Sequence, residues 1–263
     1  MVPPTPSLPV DHIAKIRSSP DRPAIPSKAT YGLDSLRGLL YSSFTAPLYL
    51  HASLRGKHLL WDKLLSETPQ ALYSRPTLDV GCGRGLVLLK IANLKRIAAA
   101  AAAGAGPAVH SAGPSMTMSV PETISPAYGI DIFNSADQTG NSPSATYINA
   151  AVLGLLDWTV LHTADFTAKL PYPDGFFSLV TASLSLHNVG KEGRVHGVRE
   201  IARVCATGGQ VIIVELYGYC REYARVLQDA GWNQVTIEMA GWQMMFGIWP
   251  CQILRATKPQ ERS

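Results

Sequence analysis

Thr77-Leu78-Asp79-Val80-Gly81-Cys82-Gly83-Arg84-Gly85 runs straight into Leu86 to Leu94. An apolar strand therefore feeds three glycines spaced two apart and then a helical pattern, which is how a cofactor-binding βα turn is written. Lacking Cβ atoms, Gly81, Gly83 and Gly85 let the backbone turn tightly and a ligand come close. The spacing is G-x-G-x-G instead of the G-x-G-x-x-G of dinucleotide sites, and Asp79 stands two residues before the first glycine. A carboxylate there repels a phosphate and welcomes an ammonium group.

Downstream, each predicted strand ends in chemistry of the same kind. Ala127-Tyr128-Gly129-Ile130-Asp131-Ile132 is a second strand, whose Asp131 is placed to accept from both hydroxyls of a ribose. Trp158 to His162 is a third, running into Ala164-Asp165-Phe166, where Asp165 can take an exocyclic amine of adenine and Phe166 can offer a ring face or a backbone N–H. Pro173-Asp174-Gly175 is a turn into a fourth strand, apolar on both faces, that ends at Ser183-Leu184-Ser185-Leu186-His187-Asn188. Arg194 to Cys205 reads as a helix, Gln210 to Leu216 as the fifth strand, and Tyr219 to Ala230 as a helix ended by Gly231. Val235 to Met239 and Gln252 to Thr257 are late strands.

The ribose acid usually follows the glycines by about 20 residues. Here the interval is more than twice that, and an alanine-rich, then Gly-, Pro- and Ser-rich insertion over 98–126 accounts for the excess. It is expected to be a surface loop without chemistry. At the other end, residues 1–30 carry seven prolines between Pro3 and Pro26 and little apolar periodicity, which predicts a mobile tail. Over 31–74, Leu33, Leu36, Leu40 and Phe44 recur at helical spacing, Pro47 can open a second helix, and Leu59, Leu60 and Leu64 continue an apolar stripe. Two or three helices are thus expected to cap the cleft and shape a substrate pocket. Arg37, His51 and Arg55 argue against a membrane span, leaving weak contact with a membrane surface as a further option for these helices.

The totals exclude several classes. With 263 residues and 46% hydrophobic content, the chain suits one α/β domain with additions. A net charge of +4 without basic–aromatic runs does not indicate a nucleic-acid partner. Cys82, Cys205, Cys220 and Cys251 are scattered, with no C-x-x-C, so neither a disulfide framework nor a metal site is expected. No basic segment followed by an apolar core opens the chain, and the expected location is cytoplasmic.

Asp79 to Gly85 resembles motif I of the class I methyltransferases that use S-adenosylmethionine, whose sulfonium and amino-acid tail suit an acidic strand tip. Together with Asp131, Asp165, the helix end Arg199 to Val204 and Asp229-Ala230-Gly231-Trp232, the chain over 75–258 is similar to their type 11 group, which includes ubiquinone and menaquinone biosynthesis enzymes. The resemblance implies a Rossmann-like, doubly wound sheet of seven strands with helices on both faces and a final antiparallel strand, preceded here by the N-terminal helices. It also implies a small-molecule methyl acceptor. Asp79, Gly81, Gly83 and Gly85 would hold the methionine part of the cofactor, Asp131 and Ile132 the ribose, and Asp165 and Phe166 the adenine, with the Ser183 backbone near the amino group.

His187, at the tip of the fourth strand, is the candidate general base because imidazole titrates near neutrality. Tyr31, Tyr217 and Tyr219 are candidates to line the acceptor pocket. Two rival readings stay open: a cofactor-binding or regulatory protein without turnover, and an NAD-dependent oxidoreductase.

Overall fold

A computed structural model describes residues 26–33, 45–102, 124–134 and 138–260. Most of the proline-rich tail, the predicted first helix around Leu36 and Leu40, and 103–123 of the insertion lie outside the described residues.

The first helical run among the described residues is made of α1 (Ala46–His51), a π-type segment (Ala52–Gly56) and α2 (Lys57–Ser66) in unbroken succession. Pro47 lies in the first turn of α1, where its missing N–H costs nothing. The wider π turn shifts the phase of the residues that follow. After it, Lys57, Leu60, Trp61, Leu64 and Leu65 all face inward, while Leu48, Leu54 and Leu59 are exposed.

Five strands and the helices between them then follow: β1 (Thr77–Val80), α3 (Leu86–Ala102), β2 (Ala127–Asp131), α4 (Pro143–Val152), β3 (Thr159–Thr163), β4 (Phe177–Ser183), α5 (Lys191–Val204) and β5 (Cys205–Leu216), β3 being followed directly by β4. After them come α6 (Tyr219–Asp229), β6 (Gln234–Met239), β7 (Met245–Phe246) and β8 (Trp249–Thr257). Along the sheet the order is β3-β2-β1-β4-β5-β8-β6. Pairings among β1 to β5 are parallel, and β8 runs antiparallel to both β5 and β6.

This is the expected doubly wound sheet of seven strands, with one addition. The two residues of β7 pair with β8 through a hairpin at Gly247, whose φ is +69°. Two predicted boundaries also move. Alanines 98 to 102 continue α3, as their helix propensity favours, and Cys205 opens β5 instead of closing α5, with a register irregularity between Phe177 and Leu179 of the neighbouring strand.

The sheet divides the apolar interior in two. On one face Leu88, Leu89 and Ile91 of α3 pack with Trp61 and Leu64 of α2; on the other Leu78 and Val80 of β1 pack with Val198, Ile201, Tyr223 and Leu227 of α5 and α6. All four β1 residues are buried, as a central parallel strand covered on both faces requires. Glu200 and Arg203 of α5 fasten the turn before β4: Leu170 N–H donates to Glu200 at 2.7 Å, and Arg203 donates to the Tyr172 carbonyl and the Asp174 carboxylate. Strand order reverses between β1 and β4, so the crevice for a ligand opens at their carboxyl ends.

Candidate active site

The glycine loop after β1 is held by the tip of β2. Gly81 and Cys82 both donate backbone N–H bonds to the Ile130 carbonyl, at 2.8 and 3.0 Å, and Gly83 N–H donates to Asp131 Oδ2 at 2.8 Å. Gly81 has φ +68°, and a Cβ there would fall 2.2 Å from the Cβ of Ser185 on the β4 loop. Gly83 has φ +51°, and a Cβ there would strike the Gln138 side chain at 2.3 Å. Gly81 is therefore required by the close approach of the β4 loop as well as by the turn, and Gly83 by its left-handed backbone.

Asp79 is 2% exposed and lines the floor of the crevice. Its Oδ1 accepts from Thr181 Oγ1 at 2.7 Å, and its Oδ2 accepts from Leu88 N–H, in the first turn of α3, at 3.1 Å. The carboxylate thus caps a helix start and bridges to β4 while keeping lone-pair sites for a ligand. Burial, only partly offset by those two bonds, raises its pKa to about 7, and the nearby charge of Asp131 adds to the rise. Asp131, at the crevice rim, accepts from Gly83 N–H, Phe133 N–H and, at 3.2 Å, Asn141 Nδ2.

Across the crevice stand Ser183, Leu184 and Ser185, and then Asn188 and Val189. Ser183 Oγ accepts from Trp61 Nε1 at 2.9 Å, which pins α2 to the tip of β4. Among the described residues two other than glycine have left-handed backbones, Leu184 at φ +53° and Phe133 at φ +56°, and both follow strands that end at the crevice. Such conformations cost free energy and cluster where a site imposes them.

His187 lies in the turn between Ser185 and Asn188 and faces β5. Its Nδ1 is 2.6 Å from Oε1 of Glu215, a carboxylate of zero exposure whose Oε2 also accepts the His187 N–H at 3.2 Å. The Tyr219 ring lies 6.0 Å from the imidazole, centroid to centroid, with the Arg194 guanidinium 5.0 Å over it.

The other sequence-derived candidates are dispersed. Ile132 and Phe166 line the crevice together with Asp79, Gly81, Gly83, Asp131 and Ser183, whereas Gly85 sits behind the wall, packed toward Thr146. Asp165 is exposed, and its Oδ1 accepts from the N–H and the hydroxyl of Thr167 at 2.8 and 2.7 Å, closing its own loop. Tyr31 lines a second groove with His58, Asp62 and Lys90 that shares no residue with the crevice. Tyr217 is 49% exposed at the end of β5.

Sequence reading passed over several residues that the fold brings in. Gln138 accepts from Arg84 N–H and donates to the Tyr31 carbonyl, while Asn149 takes Thr30 N–H and donates to the Thr30 and Arg84 carbonyls. These bonds strap residues 30 and 31 onto the glycine loop. Lys57, at the start of α2, is 4% exposed and lines the crevice. Its signal was available: a cation in register with Leu60, Trp61, Leu64 and Leu65 is a charge on the buried face of a helix. Among the described residues no group of three or more His, Cys, Asp or Glu could hold a metal ion, and no helix is long and apolar enough to cross a membrane. All four cysteines are buried.

Known proteins share part of this sequence and its fold. A family profile described as a methyltransferase domain, type 11, matches residues 115–213, beginning downstream of the glycine loop. Over 67 residues the chain is 36% identical to the ubiquinone/menaquinone biosynthesis C-methyltransferase UbiE of Hydrogenovibrio crunogenus, an alignment that spans 26% of this chain and only 24% of that relative. Two solved structures share the fold. The [4+2]-cyclase SpnF superposes with a TM-score of 0.53 at 18% identity over 87% of this chain and 99% of its own. Magnesium protoporphyrin IX methyltransferase from Synechocystis, solved with bound S-adenosylmethionine, gives 0.51 at 16% over 77% and 80%.

Proposed function

We propose that this chain, which carries a methyltransferase domain of the type 11 group on the class I fold, transfers a methyl group from S-adenosylmethionine to a small-molecule acceptor. The observation that carries the reading is the crevice at the β1/β4 reversal, floored by the buried carboxylate of Asp79 and rimmed by that of Asp131. That charge pattern suits a cationic nucleoside and opposes a pyrophosphate, which disfavours the NAD-dependent alternative. The residues present fit the cofactor: Asp79 retains acceptor capacity toward an ammonium, Asp131 at the rim could accept from ribose hydroxyls beside Ile132, and Phe166 offers an apolar wall for adenine.

Bound S-adenosylmethionine supplies an electrophilic methyl on a sulfonium, and its transfer leaves a neutral thioether. The protein's contribution is alignment, exclusion of water and removal of a proton. The glycine loop and the β4 tip align one side, and α2, pinned by Trp61 to Ser183, closes over the other. His187 takes the acceptor's proton at Nε2 while Glu215 holds Nδ1 and stabilises the imidazolium that results. An acceptor would then enter beside the β4 and β5 tips, near Tyr219 and Tyr217, and away from Tyr31.

Because a cyclase shares the fold, the test must read methyl transfer as well as binding. Calorimetry with S-adenosylhomocysteine and NAD, followed by assays with methyl-labelled S-adenosylmethionine and a panel of phenols, quinols and carboxylic acids, separates the readings. The expected result is affinity for S-adenosylhomocysteine and label transfer that requires an acceptor. Affinity without transfer to any acceptor favours a non-catalytic binder, and preference for NAD overturns the proposal.

A further inference from the structure

Apolar surface outside the crevice is gathered at one end of the sheet. Among the described residues the four most exposed large apolar side chains are Trp242, Ile248, Leu54 and Trp249, between 57% and 69%. Scattered apolar side chains are ordinary, but these are joined. Ile248 follows Gly247 in the two-residue tip of the hairpin in which Phe246 pairs with Trp249. Tyr217, also exposed, donates its backbone N–H to the Pro250 carbonyl at 2.8 Å, which sets it beside Trp249. The Trp242 ring stacks on His51 with centroids 5.2 Å apart, and Leu54 stands three residues further along that helical run. Exposed Met239 lies opposite Gln252 at the end of β6.

Charge is as uneven as hydrophobicity. The stretches that carry these residues, 45–56, 217–221 and 239–252, contain no Asp or Glu, and their formal charges are Arg55 and Arg221, both exposed. Indole rings and aliphatic tips accompanied by cations without acids complement an anionic, yielding surface. Shape narrows the partner further. Ile248 is on a turn tip and Trp242 in a single 3-10 turn, and such projections sink among lipid chains more readily than they match a flat protein face. A second copy meeting this patch across a two-fold axis would bring like charges together.

We propose that this end of the molecule is a docking surface for an anionic lipid bilayer, with Trp242, Ile248 and Trp249 entering the headgroup–acyl boundary and Arg55 and Arg221 meeting the anionic headgroups. The membrane contact anticipated for the N-terminal helices thus moves onto the β7–β8 hairpin and the 242–244 turn, with the π-type segment shared. Strands β4 and β5 end at this same edge, since Ser183 pairs with Val214 and Leu216 with Cys251. Docking therefore sets the mouth of the crevice at the lipid boundary.

The test is flotation of the full chain, without cofactor, on vesicles of phosphatidylcholine alone and of equimolar phosphatidylcholine and phosphatidylserine. The chain is expected to partition at least about tenfold more strongly onto the anionic vesicles and to lose that preference at high salt. The double variant Ile248→Ser, Trp249→Ser should partition at least about tenfold more weakly while melting at the wild-type temperature. Should that variant unfold, the wild type still decides. Lipids brominated in the acyl chains should quench its tryptophan fluorescence, because Trp242 and Trp249 are exposed while Trp61, Trp158 and Trp232 are buried. Failure to float with the anionic vesicles, equal partition onto both kinds, or flotation without quenching overturns the proposal. So does a folded double variant that floats as the wild type does, the outcome expected if another segment makes the contact. A wild-type dimer that the double variant dissociates overturns it too, and assigns the patch to a second copy. None of these measurements involves the cofactor, so their failure leaves the methyltransferase reading standing.

Discussion

The two banks of the crevice are built differently. On the β1–β2 bank the carboxylates are engaged by the protein's own backbone and hydroxyls: Asp79 by Leu88 N–H and Thr181, and Asp131 by the amides of Gly83 and Phe133. Behind the β4 tip, between residues that do not themselves line the crevice, the buried carboxylate of Glu215 engages the His187 imidazole. Backbone amides neither titrate nor swing away, so the first bank is shaped before any ligand arrives. A His–Glu pair can take up and release a proton, which suits the proposed role of His187 as base. Under the proposed function the contrast is between a binding half and a reacting half, and it can be broken by substitutions that act on one half alone.

The largest effect is expected on the reacting bank. His187→Ala should lower kcat by about a hundredfold to ten-thousandfold, the range for loss of a general base, while affinity for S-adenosylhomocysteine stays within about threefold. Glu215→Gln should lower kcat less and displace the pH–rate profile, because the imidazolium loses its counter-charge. If His187→Ala instead weakens cofactor binding and spares kcat, the division between the banks is wrong.

A smaller effect, tied to pH, belongs to the binding bank. Asp79 has a folded-state pKa raised from 3.8 to about 7, with burial as the main cause. The folded chain therefore holds a proton that the unfolded chain gives up between those values; the stabilisation this provides is complete below 3.8 and is lost as pH rises through about 7. A cationic ligand favours the carboxylate, so affinity for S-adenosylmethionine should rise about tenfold from pH 6 to pH 8 and then level off. In Asp79→Asn the pH dependence should vanish, and calorimetry across that interval reads it directly.

The smallest effect is expected at Asp165. Because its carboxylate is exposed and closes its own loop onto Thr167, Asp165→Asn should change cofactor affinity by less than about threefold. A larger loss would show that this acid reaches the adenine when the crevice is filled, and would extend the binding bank to β3.

Local grammar made the binding bank readable. Strand, glycines and helix follow one another within 77–94, and each acidic tip falls at a strand end, so contiguous stretches named the crevice. The family profile begins at residue 115, past the glycine loop and within the insertion that separates that loop from β2. Physical reading of the residues crosses such a gap, since a long loop between two paired strands leaves their pairing intact. The reacting bank was half legible: His187 stood out as a titratable group at a strand tip, but Glu215 lies 28 residues away and looked like an ordinary strand-end residue. Tyr31 shows the limit from the other side. A tyrosine in the N-terminal segment suggested an acceptor pocket, and the straps from Gln138 and Asn149 carry that segment to a different groove.

By itself the sequence determined the order of strands and helices and the acidic glycine turn, because these follow from hydrophobic period, turn residues and charge at short range; the doubly wound sheet was implied by the resemblance to the class I methyltransferases. Only the tertiary structure decided which side chains share the crevice. It set the phase of Lys57, a cation whose buried-face register the sequence already showed, through a π segment that no periodicity announces, joined His187 to Glu215 across two strands, and turned Asp165 back on its own loop. Those outcomes depend on parallel strands placing distant residues at one edge, and on the exact angular phase of a helix, neither of which is written in any single stretch of chain.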